Sequence, residues 1–251
     1  MKALTAEDIR ALLMAEGAVK VGFAPVERFA GAPIGHRPED FLPTAKSVIA
    51  WAVRVPKGVV DYDRYLSRAE DFPQDIRLEI LHNNVYGRLG YSTLNMMLDQ
   101  MTIRLLWELE RSGCRAVGFP ATYNEYHGSQ SEIKRSGYRA PFSHRHAAVA
   151  AGLGEFGLNN ILVTEEYGPW VRLSSLITDL ELPASPLVDE PICLRDGCRL
   201  CLEGCVAIEI VEEDLDQVFL QTPSRTDSRK CREEPGCQTR GSCLRACPLG
   251  R

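Results

Sequence analysis

Apolar positions recur along this chain in two periods, and the switches between them outline its elements. Thr5-Ala6-Glu7-Asp8 has the form of a helix start, with Ile9, Leu12 and Leu13 on one face and Gly17 as the stop. Val19 to Phe23 reads as a strand, and Ser47-Val48-Ile49-Ala50-Trp51-Ala52-Val53-Arg54-Val55 as a second, strongly apolar one ended by Pro56. A polar, aromatic-bearing connection runs from Pro56 to Pro73. Between Asp75 and Arg111 the residues Ile76, Ile80, Leu89, Leu94, Leu98, Met101, Leu105 and Leu109 follow helical intervals. They predict one long helix, or two with the break near Gly87 or Gly90. Cys114 to Phe119 alternates like a strand. Ala121 to Ser136 is polar and aperiodic, and such stretches in compact domains often form sites. His144 to Ala151 reads as a short helix, and Asn160 to Thr164 as a strand. Trp170 to Ile177 reads as another, reached across the turn Glu166-Tyr167-Gly168-Pro169. Leu182-Pro183-Ala184-Ser185-Pro186 is the predicted domain joint.

Gly152-Leu153-Gly154-Glu155-Phe156-Gly157 spells GxGxxG, but a dinucleotide site needs a strand before it and a helix after it, so that pyrophosphate meets a helix N-terminus. Here the order is reversed: the Ala-rich segment before is helical and Leu158 to Val163 after is strand-like. The glycines are better suited to a tight turn and a close approach of backbone to something flat or bulky.

Bulk composition narrows the class. At 251 residues the chain holds one sizeable core and a small module, and 45% hydrophobic with 25% charged residues is ordinary for a globular protein. No apolar run approaches the ~20 residues of a membrane span. The expectation is a cytoplasmic protein. A formal charge of −5 does not suggest a polyanion-binding surface. The local basic stretches, Ile133 to Arg139 and His144-Arg145-His146, read as solvated faces or as anion contacts.

Cysteine placement carries the chemistry. Of nine cysteines, eight lie in two runs: Cys193, Cys198, Cys201, Cys205, then Cys231, Cys237, Cys243 and Cys247-Pro248. Cys198-x2-Cys201-x3-Cys205 and Cys243-x3-Cys247-Pro248 resemble the bacterial ferredoxin run, in which three cysteines hold one [4Fe-4S] cluster and the fourth crosses to the other. On that pattern Cys193, Cys198, Cys201 and Cys247 form one set, and Cys205, Cys231, Cys237 and Cys243 the other. The gaps at Cys193-x4-Cys198, Cys231-x5-Cys237 and Cys237-x5-Cys243 are wider than in the standard run, and Val206 stands where the first run usually has proline. Structural zinc prefers separated Cys-x2-Cys knuckles. Disulfides need an oxidising compartment, whereas Met1 to Asp8 has acids where a signal peptide needs an apolar core. Cys114 reads as a small buried apolar residue.

The segment Ala151-Gly152-Leu153-Gly154, with Gly157, Asn159, Glu166-Tyr167-Gly168, Trp170, Leu176 and Thr178-Asp179-Leu180-Glu181-Leu182, resembles the epoxyqueuosine reductase family and its relatives, the reductive dehalogenases. The resemblance covers residues 137 to 251 well and the N-terminal half loosely. It implies an α+β fold: a nitroreductase-like α/β sandwich over residues 1–185 that holds cobalamin, then a small ferredoxin-like module over residues 186–251 with two [4Fe-4S] clusters feeding electrons to the cobalt. The cofactor would carry the chemistry and the protein would supply positioning, a proton and water exclusion. No D-x-H-x-x-G signature surrounds any of the five histidines, which fits a corrin held without a histidine ligand, or no corrin at all.

Two departures from the family matter. Aligning Ala140-Pro141 puts Tyr138 where the epoxyqueuosine reductases have their proton-donating aspartate; tyrosine is the acid of the reductive dehalogenases, and a phenol with pKa near 10 is protonated at neutral pH. Tyr138 is equally read as an ordinary surface aromatic. The sequence stops at Arg251 with no counterpart of the tRNA-holding helical repeats, which with the acidic charge argues against tRNA as substrate. The expected enzyme is an iron–sulfur, corrinoid-dependent reductase of a small molecule. Tyr138 would be its acid, Arg139, Gly152, Gly154, Gly157 and Asn159 its cofactor-binding residues, and the external electron donor a ferredoxin or flavodoxin. FMN in the same fold, or a corrinoid-reducing electron-transfer protein with no substrate of its own, are the alternatives.

Overall fold

The computed structural model describes residues 4–62, 76, 80–122, 140–208, 226–233 and 241–250. Its strands are β1 (Lys20–Pro25), β2 (Ser47–Arg54), β3 (Ala116–Gly118), β4 (Glu155–Phe156), β5 (Leu162–Val163) and β6 (Val171–Thr178). Four of them form one antiparallel sheet in the order β1-β2-β6-β3, while β4 and β5 pair as a separate ribbon. The helices are α1 (Ala6–Ala15), α2 (Pro38–Phe41), α3 (Lys57–Val60), α4 (Leu94–Arg111), α5 (His144–Ala150), α6 (Leu200–Glu203), α7 (Ser228–Glu233) and α8 (Ser242–Ala246).

Both faces of the sheet are covered, which explains the unbroken apolar run of β2. Val48, Ala50 and Ala52 turn towards Ala147, Ala148 and Val149 of α5. Ile49, Trp51 and Val53 turn the other way, against Ile9 and Leu13 of α1 and Leu98, Met101, Leu105 and Leu109 of α4. A strand buried on two sides has no polar face to alternate with. Leu98, Met101, Leu105 and Leu109 of α4 recur at three- and four-residue steps and are buried; each such side chain contributes roughly 1.5–3 kcal/mol. Helix α1 starts where the pattern places it: Thr5 Oγ1 accepts from Asp8 N (3.1 Å) and Asp8 Oδ2 accepts from Thr5 N (3.2 Å), a reciprocal capping box.

Three details differ from the pattern. The expected break near Gly87 or Gly90 is a change of helix type: His82–Thr93 is π-helical and runs straight into α4. At Gly90 a Cβ would lie 2.7 Å from Val59 Cγ1 of α3, so the wide turn seats that helix closely. The expected strand at Cys114 begins only at Ala116, because Cys114 N caps α4 by donating to Leu109 O (2.9 Å) and is lost to the sheet. Burial, and then the nearby Asp179, push the Cys114 thiol up. The joint at Leu182–Pro186 is strapped along β1 and β2: Leu182 N donates to Ser47 Oγ (3.0 Å), Phe23 N to Ser185 Oγ (2.9 Å) and Ser185 N to Phe23 O (2.9 Å). No described helix is long and apolar enough to cross a membrane.

Candidate functional site

Beyond the strapped joint the chain makes short helices and tight turns, and the cysteines collect there. Cys193, Cys198, Cys201 and Cys247 line one cavity, whose remaining wall includes Leu158, Asn159, Val163 and Pro248. Cys201 is carried by α6, Cys243 by α8, and Cys247 follows the end of α8; the two helices pack together. Cys193, Cys198, Cys201 and Cys205 form no disulfides. Burial, then the neighbouring Cys193, Cys247 and Cys198 sulfurs, push the Cys201 thiol up to about 12. A thiol whose ionisation is opposed by burial and by neighbouring sulfurs needs a cationic centre to be held as a thiolate. Among the described residues no three His, Cys, Asp or Glu side chains converge on a point suited to a single metal ion.

The cavity is held by a carboxylate that sequence reasoning missed. Glu155 of β4, fully buried, accepts from Ile192 N (3.0 Å) and from Cys193 N, and pairs with Arg195 Nη2 at 3.2 Å. A buried carboxylate survives only when its lone pairs are filled; here two backbone N–H groups and a guanidinium fill them, and doing so fixes the backbone at Cys193. The signal was visible, since a glutamate between Gly154 and Phe156 in an apolar stretch needs partners if buried, but the partners lie 37 to 40 residues away.

The Gly-rich turn forms the seam between sandwich and cysteines. Gly152 has φ +74°, and a Cβ there would lie 1.9 Å from Pro186 O; at Gly154 it would lie 2.2 Å from Val163 O. The close approach is to the chain's own backbone. Gly157 abuts Asn159 and Val163, two walls of the cysteine cavity, and Asn159 Oδ1 accepts from Ile161 N (3.2 Å).

A second set of ties joins the cysteine region to the sandwich. Arg245, between Cys243 and Cys247, donates Nη1 to Tyr62 Oη at 2.9 Å, and Tyr62 Oη lies 2.9 Å from His82 Nδ1 in the interior. The phenol oxygen accepts from the arginine, and the imidazole tautomer sets which of Tyr62 Oη and His82 Nδ1 donates in their contact. Asn160 Nδ2 donates to Thr226 Oγ1 (3.1 Å), just ahead of α7 with Cys231, and Arg145 of α5 donates to Asn160 O. Arg145 faces the Cys231 and Cys243 sulfurs. Asn160 Oδ1 is buried and accepts no hydrogen bond among the described residues. Tyr138, Arg139 and Cys237 lie outside the described residues.

No family model matches the chain. An epoxyqueuosine reductase of Gloeobacter violaceus is 27% identical over 215 residues, covering 86% of this chain and 54% of that protein. A tetrachloroethene reductive dehalogenase of Desulfitobacterium hafniense is 42% identical over 77 residues, 30% of this chain and 13% of that protein. The chain thus aligns with about half, or much less, of these relatives' length. Among solved structures, an epoxyqueuosine reductase in complex with a tRNA-Tyr epoxyqueuosine-modified stem loop superposes with TM-score 0.56 at 17% identity, covering 97% of this chain and 64% of that one. A reductive dehalogenase described for B12-dependent dehalogenation superposes with TM-score 0.59 at 18% identity, covering 98% and 32%. The mixed helix-and-sheet fold is therefore similar to both.

Proposed function

We propose that this chain, a relative of the epoxyqueuosine reductases and the reductive dehalogenases, is an iron–sulfur, corrinoid-dependent reductase of a small molecule. Residues 1–185 are its cofactor domain and residues 186–251 its cluster module. The observation that carries the reading is the cavity lined by Cys193, Cys198, Cys201 and Cys247. Four thiols around a space, backed by Leu158 and Val163, suit a polynuclear cluster; a single zinc ion would draw sulfurs to about 2.3 Å from one point. Cys205, Cys231, Cys237 and Cys243 are proposed as the second set, with Arg145 supplying positive charge beside it.

A corrin fits the seam between these cysteines and the sandwich. Asn160 Oδ1, buried and without a partner among the described residues, asks for a donor of the kind corrin amides provide, and the turn through Gly152, Gly154, Gly157 and Asn159 forms that seam beside the first cysteine set. When bound, cobalamin would supply a low-valent cobalt as nucleophile or electron donor. The chain's own contribution is to hold the cluster thiolates, exclude water with Leu158 and Val163, and deliver a proton. Tyr138, with Arg139 beside it, is proposed as that acid.

Anaerobic purification followed by iron, sulfide, cobalt and flavin analysis tests the reading. About eight irons, as two four-iron clusters each held by four cysteines require, and a cobalamin spectrum shifted to base-off are expected; bound FMN with indifference to cobalamin, or zinc without iron, would overturn it. A Tyr138→Phe protein should lose turnover and keep its clusters, and full turnover would remove the acid role. Tight binding of a tRNA stem loop would replace the small-molecule substrate.

A further inference from the structure

At the junction of β6 with the start of α4, one cation has no counter-charge. The guanidinium of Arg172 stacks on Tyr91, 4.2 Å from the ring centroid, and its Nε and Nη2 both donate to Asn95 Oδ1 at 3.0 and 2.8 Å. Among the described residues no carboxylate pairs with it. Asn95 is 3% exposed, and its Nδ2 donates to no described residue. The amide cannot be turned over, since that would set its NH2 against the guanidinium. One edge of Arg172 is therefore spent on a single neutral acceptor. The other edge, Nη1 with the second N–H of Nη2, and the Asn95 amide remain donors.

The neighbouring acid and imidazole do not answer them. Asp99, one turn along α4 from Asn95, accepts from Ala121 N at 2.7 Å. His144 sits between Ser175 Oγ (2.7 Å) and Pro120 O (2.9 Å), and burial lowers its pKa. Tyr91 Oη meets Thr122 Oγ1 at 2.8 Å. These contacts fix Pro120, Ala121 and Thr122 on one side and His144 on the other, next to the start of α4 and β6.

We propose that Arg172 and Asn95 form a subsite for the carboxylate of a small-molecule substrate, an inference that rests on the reductase reading. A carboxylate spans a guanidinium edge with two parallel hydrogen bonds, and one positive charge matches a monoanion. A phosphate dianion would call for a second cation. Stacking on Tyr91 and the bond to Asn95 preorganise the fork, so little freedom is lost on binding.

Calorimetric titration of benzoate into the cluster-loaded protein tests this. Saturable binding is expected, absent with neutral benzamide and weakened roughly tenfold or more in Arg172→Met. Asn95→Asp, which gives the guanidinium an internal carboxylate and keeps the fold, should weaken it likewise. Unchanged binding in both variants, no binding to the unaltered protein, or tighter binding of inorganic phosphate would each overturn the subsite. So would loss of cobalamin affinity in Arg172→Met without benzoate binding, which would assign the donors to the corrin. Failure of the reductase reading registers separately, in metal content and visible spectrum.

Discussion

The sandwich and the cysteine region are built on different principles. Around β2 the core residues Ile49, Trp51, Leu98 and Leu105 are fully buried and meet one another on both faces of a sheet. Around the cysteines the only buried apolar cluster among the described residues is Leu158 with Cys201, helped by half-buried Leu202, Cys193 and Cys243, and its helices run four to six residues. The first region has enough apolar area to hold itself together. The second does not, and it relies on polar ties to the sandwich. Stability in this protein is thus concentrated on the sheet side of the seam, away from the cysteines.

That contrast can be broken from either side. Trp51→Ala should cost the most, about 3–5 kcal/mol as for other buried aromatics, and denaturant melts should show the whole chain unfolding earlier, because the cysteine region has nothing else to lean on. A variant whose cysteine region kept its bound iron after the sandwich had melted would show that the two regions fold separately. Glu155→Ala should act in the opposite sense. It removes the acceptor for Ile192 N and Cys193 N and leaves Arg195 without its buried partner, at a cost of about 3 kcal/mol. The loss should appear as lowered iron content and faster proteolysis near Cys193, with far-ultraviolet circular dichroism of the sandwich unchanged. A general collapse instead would make Glu155 part of the sandwich core.

The smallest effect concerns His146, at the start of α5 between Ser143 Oγ (2.8 Å) and the Phe156 ring. Burial, and then the charge of Arg145, lower its pKa from 6.5 to about 4. The folded protein therefore keeps His146 neutral while the unfolded chain takes up a proton below its ordinary value. The unfolded state binds more protons between those limits, so stability should fall as pH drops from 6.5 towards 4. The ring retains solvent contact, which keeps the effect small. His146→Gln should flatten that part of the pH profile in thermal melts; an unchanged slope would assign it to other groups.

Much of this was legible in the amino-acid sequence, for local reasons. The capping box at Thr5, the two-sided burial of β2, the helical spacing from Leu94 to Leu109 and the helix-then-strand order around Gly152 follow from periodicity and cap chemistry within a few residues. The unsuitability of the GxGxxG run for dinucleotides followed from that order as well. What could not be read were interactions between distant positions: Glu155 with the Cys193 backbone, Arg245 with Tyr62, Asn95 with Arg172. Each is an ordinary polar side chain in its own neighbourhood, and its meaning comes from a partner brought up by the fold.

The sequence by itself therefore determined the main helices and strands, the sheet core and the two runs of cysteines in the tail, because hydrophobic period and residue spacing act along the chain. Only the tertiary structure decided that Cys193, Cys198, Cys201 and Cys247 share a cavity, that the glycines accommodate Pro186 and Val163 backbone, and that a guanidinium is left with an open edge. Burial, orientation and the completeness of a hydrogen-bond shell depend on what lies across a gap in space, and no local pattern records that.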